Sequence, residues 1–277
     1  MRRVVLVLAS MALAIPLATG VAQAIINGEP DRGPNAHPYV GAYVAKFEGE
    51  LLPVCSGTLI SPRVFLTAGH CTEFEIEKDR PAFVSFDPTY KPGASELTKG
   101  TPYLHPKACL AAKEGCVPDP IGGAVAGYPR YDAGVVLLKE PVRMATHGAL
   151  PKAGLVDTLK EGQRLTAVGY GATRYKIGGG LRPQPVYPGN RNRATVRLLN
   201  TKDPAVGEMF VKTTGVSLTG GNGASSCHGD SGGPLFMPNQ RTIVGVTSFG
   251  IAPLCRGPGY YQRMDLPGVL KWVRSFS

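Results

Sequence analysis

The sequence predicts an all-β fold of the barrel or sandwich type that ends in one helix. Three observations favour this class. Short apolar runs alternate with turn residues, glycine (36) and proline (25) are frequent, and helical periodicity is nearly absent before the C-terminal end. Hydrophobic residues make up 43% and charged residues 18% of the 277 residues. This apolar content is enough for a packed core and excludes a disordered chain.

Residues 1–24 have the pattern of a secretory signal peptide. Two arginines near the start precede an apolar run over residues 4–17, and residues 22–24 read Ala-Gln-Ala, which suits signal peptidase. The alternative is an uncleaved anchor helix, but the run is short for a bilayer that needs about 20 apolar residues. We therefore expect a secreted, extracellular protein without a stable membrane anchor, whose mature part covers residues 25–277.

Strands are predicted wherever a short apolar run lies between turn signals. In chain order the predicted strands are Tyr39–Val44, Gly57–Leu66, Ala82–Phe86, Gly134–Leu138, Arg164–Val168, Thr195–Leu199, Met209–Lys212, Leu235–Met237, Ile243–Ser248 and Gly259–Arg263. Near the end, Leu266, Val269, Leu270 and Val273 fall on one face of a helix. Residues 141–162 carry few strand signals and are expected to join two halves.

The six cysteines all follow residue 24 and indicate three disulfides formed in an oxidising compartment. Many pairings are open, and proximity along the chain favours Cys55–Cys71, Cys109–Cys116 and Cys227–Cys255. No Cys-x-x-Cys cluster occurs, so we expect neither a metal nor a cofactor. The alternating Glu73, Glu75 and Glu77 are interpreted as a solvated strand face rather than a calcium loop.

The basic charge is scattered along the chain. The formal net charge is +10, and the densest basic cluster is Arg191, Arg193 and Arg197, which is interleaved with polar residues. A nucleic-acid groove concentrates its charge more than this. The pattern favours solubility and some affinity for anionic surfaces, and no nucleic-acid partner is expected.

Three segments carry residues suited to nucleophilic catalysis. A serine hydroxyl needs a base to take its proton and donors to hold the oxyanion that forms. Glycines around Ser231 allow a sharp turn that brings the amides of Gly229 and Ser231 toward a reacting carbonyl. His70 suits the base, because it follows a strongly apolar run and lies beside an expected disulfide. Asp132 heads a buried strand, where an unpaired charge is costly, and a histidine partner would offset that cost.

These segments resemble the trypsin/chymotrypsin-like serine endopeptidases, in particular the secreted bacterial members. Residues 67–71 (Thr-Ala-Gly-His-Cys) are similar to the family's histidine motif, and residues 229–234 (Gly-Asp-Ser-Gly-Gly-Pro) are identical to its serine motif. The Asp132 strand is similar to the family's aspartate strand, and the order His, Asp, Ser agrees. Residues 25–28 (Ile-Ile-Asn-Gly) look like its mature N-terminus. The stretch Tyr170–Asn192 departs from the family's pattern.

The resemblance implies a single trypsin-like serine protease domain over residues 25–277. Its fold would be two packed antiparallel six-stranded β-barrels with a C-terminal helix, the N-terminal barrel over about 25–145 and the C-terminal barrel over about 160–277. The catalytic residues would be His70, Asp132 and Ser231, with an oxyanion hole formed by the backbone amides of Gly229 and Ser231.

The resemblance also implies where a substrate binds. Ser225 takes the position at the base of the specificity pocket, Ser248 and Gly250 offer backbone groups to an extended peptide, and Gly250 and Gly259 leave the pocket walls open. No acidic residue other than Asp230 lies between residues 210 and 254. We therefore expect cleavage after large apolar or aromatic residues rather than after arginine or lysine.

Activation is expected to follow the family's pattern, in which a new N-terminal amine pairs with the aspartate before the catalytic serine. Here Ile25 would supply the amine and Asp230 the carboxylate, and the predicted signal cut falls directly before Ile25. We expect a secreted, monomeric serine endopeptidase that acts on proteins or peptides, with a protein inhibitor as a further partner. The alternative is a catalytically silent binding protein on the same scaffold.

Overall fold

The computed structural model describes residues 25–277 except 35, 48, 111–128, 178–182, 205, 218–222 and 239–240. The predicted signal peptide and one half of the predicted Cys109–Cys116 pair lie outside the described residues. No helix within the described ranges is long and apolar enough to cross a membrane.

Short strands dominate the structure, with one helix inside the first half and one at the C-terminus. In chain order the elements are β1 (Glu29–Pro30), β2 (Val40–Phe47), β3 (Glu50–Ser61), β4 (Val64–Thr67), α1 (Gly69–Glu77), β5 (Ala82–Ser85), β6 (Thr98–Leu104), β7 (Gly134–Leu138), β8 (Arg164–Gly169), β9 (Arg174–Ile177), β10 (Pro183–Val186), β11 (Asn192–Asn200), β12 (Phe210–Thr213), β13 (Pro234–Phe236), β14 (Ile243–Gly250), β15 (Gly259–Arg263) and α2 (Pro267–Arg274).

Two six-stranded antiparallel barrels confirm the predicted fold class. The first has the strand order β2-β3-β4-β7-β6-β5 and closes where β5 pairs with β2, with Ala42 opposite Ser85. The second has the order β11-β12-β15-β14-β13-β8 and closes where β8 pairs with β11, with Ala167 opposite Ala194. Strand β1 extends this second sheet along β11.

Side-chain alternation explains why these runs form barrels. Along β11, Ala194, Val196 and Leu198 are buried while the residues between them are exposed or half-buried. Successive side chains on a strand point to opposite faces, so one face fills the barrel and the other meets solvent. The first barrel's β7 is almost continuously buried instead, because α1 packs over the outside of that part of the sheet.

The C-terminal helix connects the two halves. Val269, Leu270 and Val273 are buried as the sequence predicts, and Leu266 lies just before the first turn. Val269 and Val273 belong to the same apolar cluster as the first-barrel core. The Trp272 ring lies 5.0 Å from that of His105. A helix that follows the second barrel in sequence therefore packs against the first.

Two details of the predicted elements were wrong. The run Gly57–Leu66 is not one strand, because a turn at residues 62–63 separates β3 from β4, and the two strands then pair with each other. Glu73, Glu75 and Glu77 lie in helix α1 rather than on a strand. Glu75 is buried and accepts a hydrogen bond from the Tyr43 hydroxyl at 2.8 Å, which a solvated face does not allow.

A buried ion pair fixes the segment around Asp31 to both barrels. Asp31 accepts hydrogen bonds from the Arg191 guanidinium (Nε, 2.8 Å) and from the backbone and ring of His37 (both 2.8 Å). Arg191 also donates to the carbonyl of Val40 on β2 at 3.1 Å. Burial alone would raise the pKa of Asp31, but the bonds and charge of His37 and the charge of Arg191 hold it below its usual value. Arg191 is therefore a buried structural residue and not part of a solvated basic cluster.

Candidate active site

His70 lies in the first turn of α1, directly after the buried strand β4. The Cys55–Cys71 disulfide ties this turn to β3, with 6.2 Å between the two Cα atoms. Gly69 precedes His70, and a Cβ atom at that position would lie 2.7 Å from the Leu104 side chain and 3.2 Å from Asp132 Oδ1. The glycine therefore lets the helix start close against Asp132, which lies just before β7.

Asp132 holds His70 by two hydrogen bonds. Its Oδ1 accepts the His70 backbone N–H at 2.9 Å, and its Oδ2 lies 2.9 Å from His70 Nδ1. An ionised carboxylate only accepts hydrogen bonds, so Nδ1 carries the ring proton and Nε2 is left as a base. The Asp132 side chain is completely buried, whereas that of His70 is 33% exposed. The pair can therefore take up a proton from the solvent side only through His70.

Electrostatics stabilise the charged states of this pair. Burial alone would raise the pKa of Asp132, but the charge and hydrogen bonds of His70 and a hydrogen bond from Ser248 hold it below its usual value. Burial opposes protonation of His70, but the charge of Asp132 and its hydrogen bond raise the pKa of the imidazole. An imidazole that gains a proton during a reaction is thus stabilised by a carboxylate already in place.

Two residues of the second barrel support Asp132. The Ser248 hydroxyl on β14 donates a short hydrogen bond to Asp132 Oδ2, and the Asp132 backbone N–H donates to Gln262 Oε1 on β15 at 3.0 Å. The sequence suggested only a backbone role for Ser248 and gave no role to Gln262. A buried carboxylate needs a donor and a buried N–H needs an acceptor, but nothing in the linear sequence identifies which distant side chains provide them.

Ser231 lies in a tight turn before β13 that glycine makes possible. Gly229 and Gly232 have φ of +91° and +80°, values that residues with a Cβ atom rarely adopt. The Gly232 N–H donates to the Thr247 carbonyl at 2.8 Å, and the Ser56 N–H of the first barrel donates to the Ser231 carbonyl at 2.7 Å. Both barrels therefore hold the backbone of this turn.

Ser56 also orients the peptide that precedes the serine. Its hydroxyl donates to the Gly229 carbonyl at 2.8 Å and accepts the Tyr170 N–H at 2.9 Å. The side chain of Ser56 is completely buried between the barrels. Sequence reasoning missed this residue, because a serine directly before the predicted strand Gly57–Leu66 carries no motif.

One cavity of about 720 Å³ is lined by His70, Gly229 and Ser231 together. His70 comes from the first barrel and the other two from the second, so the cavity lies where the barrels meet. The structure therefore brings the predicted base, the predicted nucleophile and one predicted oxyanion donor to a common solvent-accessible site. Such convergence of polar groups in a largely apolar cleft is typical of an active site.

Asp230 is buried beneath the turn that carries Ser231. Its carboxylate accepts the backbone N–H groups of Gly171 and Cys227, both at 2.8 Å, and within the described part of the chain it forms no ion pair. Burial raises its pKa to about 7 despite the two hydrogen bonds. A cation that can reach Asp230 stabilises the ionised form of this buried carboxylate.

The segment around Ile25 pairs with the chain just before the turn that carries Asp230. Ile25 is 1% exposed. The next residue, Ile26, forms an antiparallel bridge with Ser225, its N–H donating to the Ser225 carbonyl at 3.0 Å and its carbonyl accepting the Ser225 N–H at 3.2 Å. The segment that contains Ile25 is therefore paired with the segment that leads to Asp230.

The predicted substrate-pocket residues form a second group. Ser225 is buried, and its hydroxyl accepts the Val216 N–H at 2.6 Å and donates to the Gly257 carbonyl at 3.2 Å. Gly250 and Gly259 lie opposite each other at the ends of β14 and β15. Neither these residues nor Ser248 line the 720 Å³ cavity, so the predicted pocket residues and this cavity are separate groups.

The described cysteines form two disulfides, Cys55–Cys71 and Cys227–Cys255. The ligand atoms of Cys55, His70 and Cys71 lie within 4.8 Å of one another, but the two sulfur atoms are bonded to each other and offer no thiolate to a metal. The predicted Cys109–Cys116 disulfide falls on residues that the structure does not fully describe.

Comparisons with known proteins agree on one family. The family described as Trypsin matches residues 25–273. The chain is 26% identical to chymotrypsin of Phaedon cochleariae over 91% of this chain and 82% of the relative. It is 25% identical to cercarial protease of Schistosoma mansoni, over 82% of this chain and 80% of the relative. It is also 25% identical to spermosin of Halocynthia roretzi, where the match covers 88% of this chain but only 60% of the longer relative.

Solved structures share the fold at low sequence identity. Neuropsin, a serine protease of mouse brain, is 22% identical with a TM-score of 0.61, covering 91% of this chain and 99% of that one. HL collagenase is 18% identical with a TM-score of 0.66, covering 91% and 97%. Since the relatives named here come from eukaryotes, they do not confirm the bacterial type that the sequence suggests.

Proposed function

Since this chain belongs to the trypsin family of serine proteases, we propose that it is a secreted endopeptidase that uses Ser231 as nucleophile, His70 as general base and acid, and Asp132 as the residue that orients His70. The observation that carries this proposal is the arrangement of the three. Asp132 binds His70 through Nδ1 and the backbone, and the cavity that His70 lines is also lined by Ser231.

The reaction proceeds through an acyl-enzyme. His70 Nε2 takes the proton of Ser231 as its oxygen attacks the peptide carbonyl, and the backbone amides of Gly229 and Ser231 stabilise the resulting oxyanion by about 3 kcal/mol per donor. His70 then gives the proton to the leaving amine. In the second half, His70 takes a proton from the water that attacks the ester. It then gives this proton to the Ser231 oxygen as the ester bond breaks, which releases the acid and regenerates the Ser231 hydroxyl.

Asp132 contributes by fixing the tautomer. Its carboxylate binds Nδ1–H, so Nε2 is unprotonated before each attack, and it stabilises the imidazolium that forms. Ser248 and Gln262 act as positioning residues, because they hold Asp132 from the second barrel.

The specificity pocket is proposed to accept large apolar or aromatic side chains. Ser225 lies at the bottom of this pocket in the proposed alignment. The Ser225 hydroxyl is hydrogen-bonded to two backbone groups, so the pocket offers no charge to an arginine or lysine. Gly250 and Gly259 supply no side chain to the walls. Ester substrates of Phe and Tyr should be cleaved faster than those of Arg and Lys, and the opposite order would contradict this assignment.

Activation is proposed to need only signal-peptide removal. Ile25 has φ of +61°, an unusual conformation for a β-branched residue. The angle φ is defined by the preceding carbonyl carbon, so a cut directly before Ile25 removes this constraint and creates an ammonium group that we propose pairs with the buried Asp230. N-terminal sequencing of the secreted protein should give Ile-Ile-Asn-Gly, and any other start would reject the idea.

Labelling separates an enzyme from a silent binding protein. A fluorescent organophosphonate should label the mature protein at Ser231, and Ser231→Ala should abolish labelling and lower kcat/KM by about a thousandfold or more. Ser275→Ala, which changes an exposed serine beside Trp272, is the matched control and should label normally. Absence of labelling in mature, folded protein would refute the proposed activity.

A further inference from the structure

Another cavity, of about 430 Å³, lies outside the candidate active site. None of its lining residues lines the 720 Å³ cavity. Its walls come from the segment before β2, the connection between the barrels, strands β8 and β11 and the turn before β14. We call it the junction cavity. The polar side chains that matter here are Glu29, Tyr39, Thr166, Arg193, Thr195 and Arg241.

Aromatic packing builds one wall of the junction cavity. The Tyr39 ring meets Phe236 edge to face, with 5.9 Å between the ring centroids. The His37 ring, which also lines the cavity, stacks on the same phenylalanine at 5.1 Å. His37 is held in addition by Asp31, which lies 2.8 Å from its Nδ1. This wall is therefore in place before any ligand arrives.

Strand register places further donors on one face of the second barrel. Thr195 of β11 lies directly opposite Thr166 of β8, and residues opposite each other in a sheet carry their side chains on the same face. Arg193, two positions before Thr195, shares that face, whereas Ala194 and Val196 belong to the barrel core. The outer surface of the barrel therefore presents one guanidinium and two hydroxyls to the junction cavity.

The Tyr39 hydroxyl is a polar group without a partner in the chain. Tyr39 is 4% exposed and lines the cavity, yet no residue in the described ranges forms a hydrogen bond with its hydroxyl. Burial raises the pKa of this phenol to about 12, so it remains a donor at neutral pH. Because buried hydroxyls are normally satisfied, this one indicates an acceptor from outside the chain.

Arg241 adds a guanidinium with donors to spare. Its Nη1 donates to the His147 carbonyl at 2.9 Å, and no carboxylate in the described part of the chain lies within ion-pair distance of it. The charge of Arg241 lowers the pKa of Tyr39 against the effect of burial, so the guanidinium and the phenol are close to each other. The five N–H donors of an arginine suit an oxyanion.

The charge balance of the cavity favours an anion. Arg193 and Arg241 carry two positive charges, and Glu29 is the one acidic residue among the described lining residues. Glu29 binds Arg193 Nε at 2.9 Å, but its side chain is 65% exposed, and such a surface pair contributes little free energy. Asp31, 3.8 Å from Arg193, is already bound to Arg191. An anion of higher charge can therefore displace the Glu29 carboxylate into solvent.

We propose that the junction cavity binds a phosphate or sulfate group, which Arg241, Arg193 and the Tyr39 hydroxyl hold. These donors come from separate segments of the chain. A tetrahedral oxyanion accepts hydrogen bonds from several directions, whereas a carboxylate accepts them mainly in one plane. The group is a free inorganic ion or an ester, and a cavity of about 430 Å³ leaves room for a small carrier. The site is separate from the proposed reaction centre and does not depend on proteolytic activity.

Calorimetric titration measures this binding. The protein carries Ser231→Ala to prevent self-digestion, and chloride keeps the ionic strength constant at neutral pH. The probes are inorganic phosphate, inorganic sulfate and glycerol phosphate, with glycerol and acetate as controls. We expect saturable binding of the first three at a single site, about tenfold weaker binding of acetate and none of glycerol. Tighter binding of glycerol phosphate than of phosphate would identify an ester as the ligand, and equal binding the free ion.

Substitutions assign the binding to the junction cavity. Arg241→Gln should weaken phosphate binding about tenfold or more, because it removes a charged donor, and Tyr39→Phe about threefold, because it removes a neutral one. Glu29→Gln should strengthen binding, because the competing carboxylate is gone. Arg197→Gln is the matched control and should bind normally. The guanidinium of Arg197 is also exposed and also donates to one carbonyl, at 3.2 Å, but it lies outside the cavity.

The outcomes decide the proposal. Absence of saturable phosphate and sulfate binding overturns it. Equal losses in Arg241→Gln and Arg197→Gln also overturn it, because attraction by the overall charge would then explain the effect. Acetate that binds as tightly as phosphate overturns the assignment of a tetrahedral oxyanion. The urea midpoint without ligand shows whether each variant is folded, and if Tyr39→Phe lowers it, the two exposed positions Arg241 and Glu29 still decide.

Discussion

The proposed pairing of Ile25 with Asp230 predicts that one extra residue at the N-terminus changes how stability depends on pH. Two chains are compared, one that begins at Ile25 and one that keeps Ala24 in front of it. Both carry Ser231→Ala so that self-digestion does not interfere. In the longer chain the amine is displaced from Ile25 and cannot occupy the same place beside the buried carboxylate.

The magnitude follows from the pKa of Asp230. Burial raises this pKa from 3.8 to about 7, so the folded state prefers the protonated form. Binding of this proton stabilises the folded state. That stabilisation is fully present below the pKa of Asp230 in the unfolded chain and is lost as pH rises from about 4 to 7. The difference between the pKa of Asp230 in the folded and in the unfolded chain corresponds to about 4 kcal/mol of unfolding free energy. An Ile25 ammonium compensates the charged carboxylate, so the shorter chain should retain most of this stability.

Urea unfolding of both chains between pH 4.5 and 7.5 measures the effect. Other titrating groups change equally in the two chains and cancel when their unfolding free energies are subtracted. The advantage of the shorter chain should therefore grow with pH, and Asp230→Asn in the longer chain should remove the excess pH dependence. Equal pH dependence in the two chains would refute the pairing of Ile25 with Asp230.

Two further predictions concern the reacting loop and the base. Gly232→Ala should destabilise the fold by about 3 kcal/mol or more in urea unfolding, because φ is +80° and the new Cβ would lie 2.1 Å from Thr67 Oγ1. Gly33→Ala has the same φ with no atom within 4 Å and should lose only about 1 kcal/mol, so equal losses would reject the steric argument. Asp132→Asn removes the charge that raises the pKa of His70, so the acid limb of kcat/KM should move to lower pH while activity falls about a thousandfold or more. An unmoved limb would show that another group controls it.

Local pattern was enough to predict most strands of both barrels. Gly134–Leu138 and Gly259–Arg263 have the predicted bounds, because each is a short apolar run between turn residues. The run Gly57–Leu66 was wrong, since a two-residue turn interrupts neither the apolar composition nor the spacing. Helix α1 was missed because its glutamates recur every second residue, which imitates a strand.

In the candidate site, too, some residues could be predicted from the sequence and others could not. The types and order of His70, Asp132 and Ser231 are visible in short motifs, since the chemistry requires those residues in glycine-rich or strand-end settings. Ser56, Ser248 and Gln262 carry no such signal. Their roles come from hydrogen bonds to atoms that lie far away in sequence.

By itself, the sequence determined which residues are able to do the chemistry and that the chain forms short strands with oxidised cysteines. Only the tertiary structure decided which distant side chains hold Asp132, how the barrels join around Arg191, and that Tyr90 and Tyr187 line the same cavity as Ser231. The physical reason is that composition and periodicity report only on residues that are close together in the sequence. Hydrogen bonds and burial between the barrels instead depend on where the folded backbone places side chains a hundred or more residues apart, such as Asp132 and Ser248.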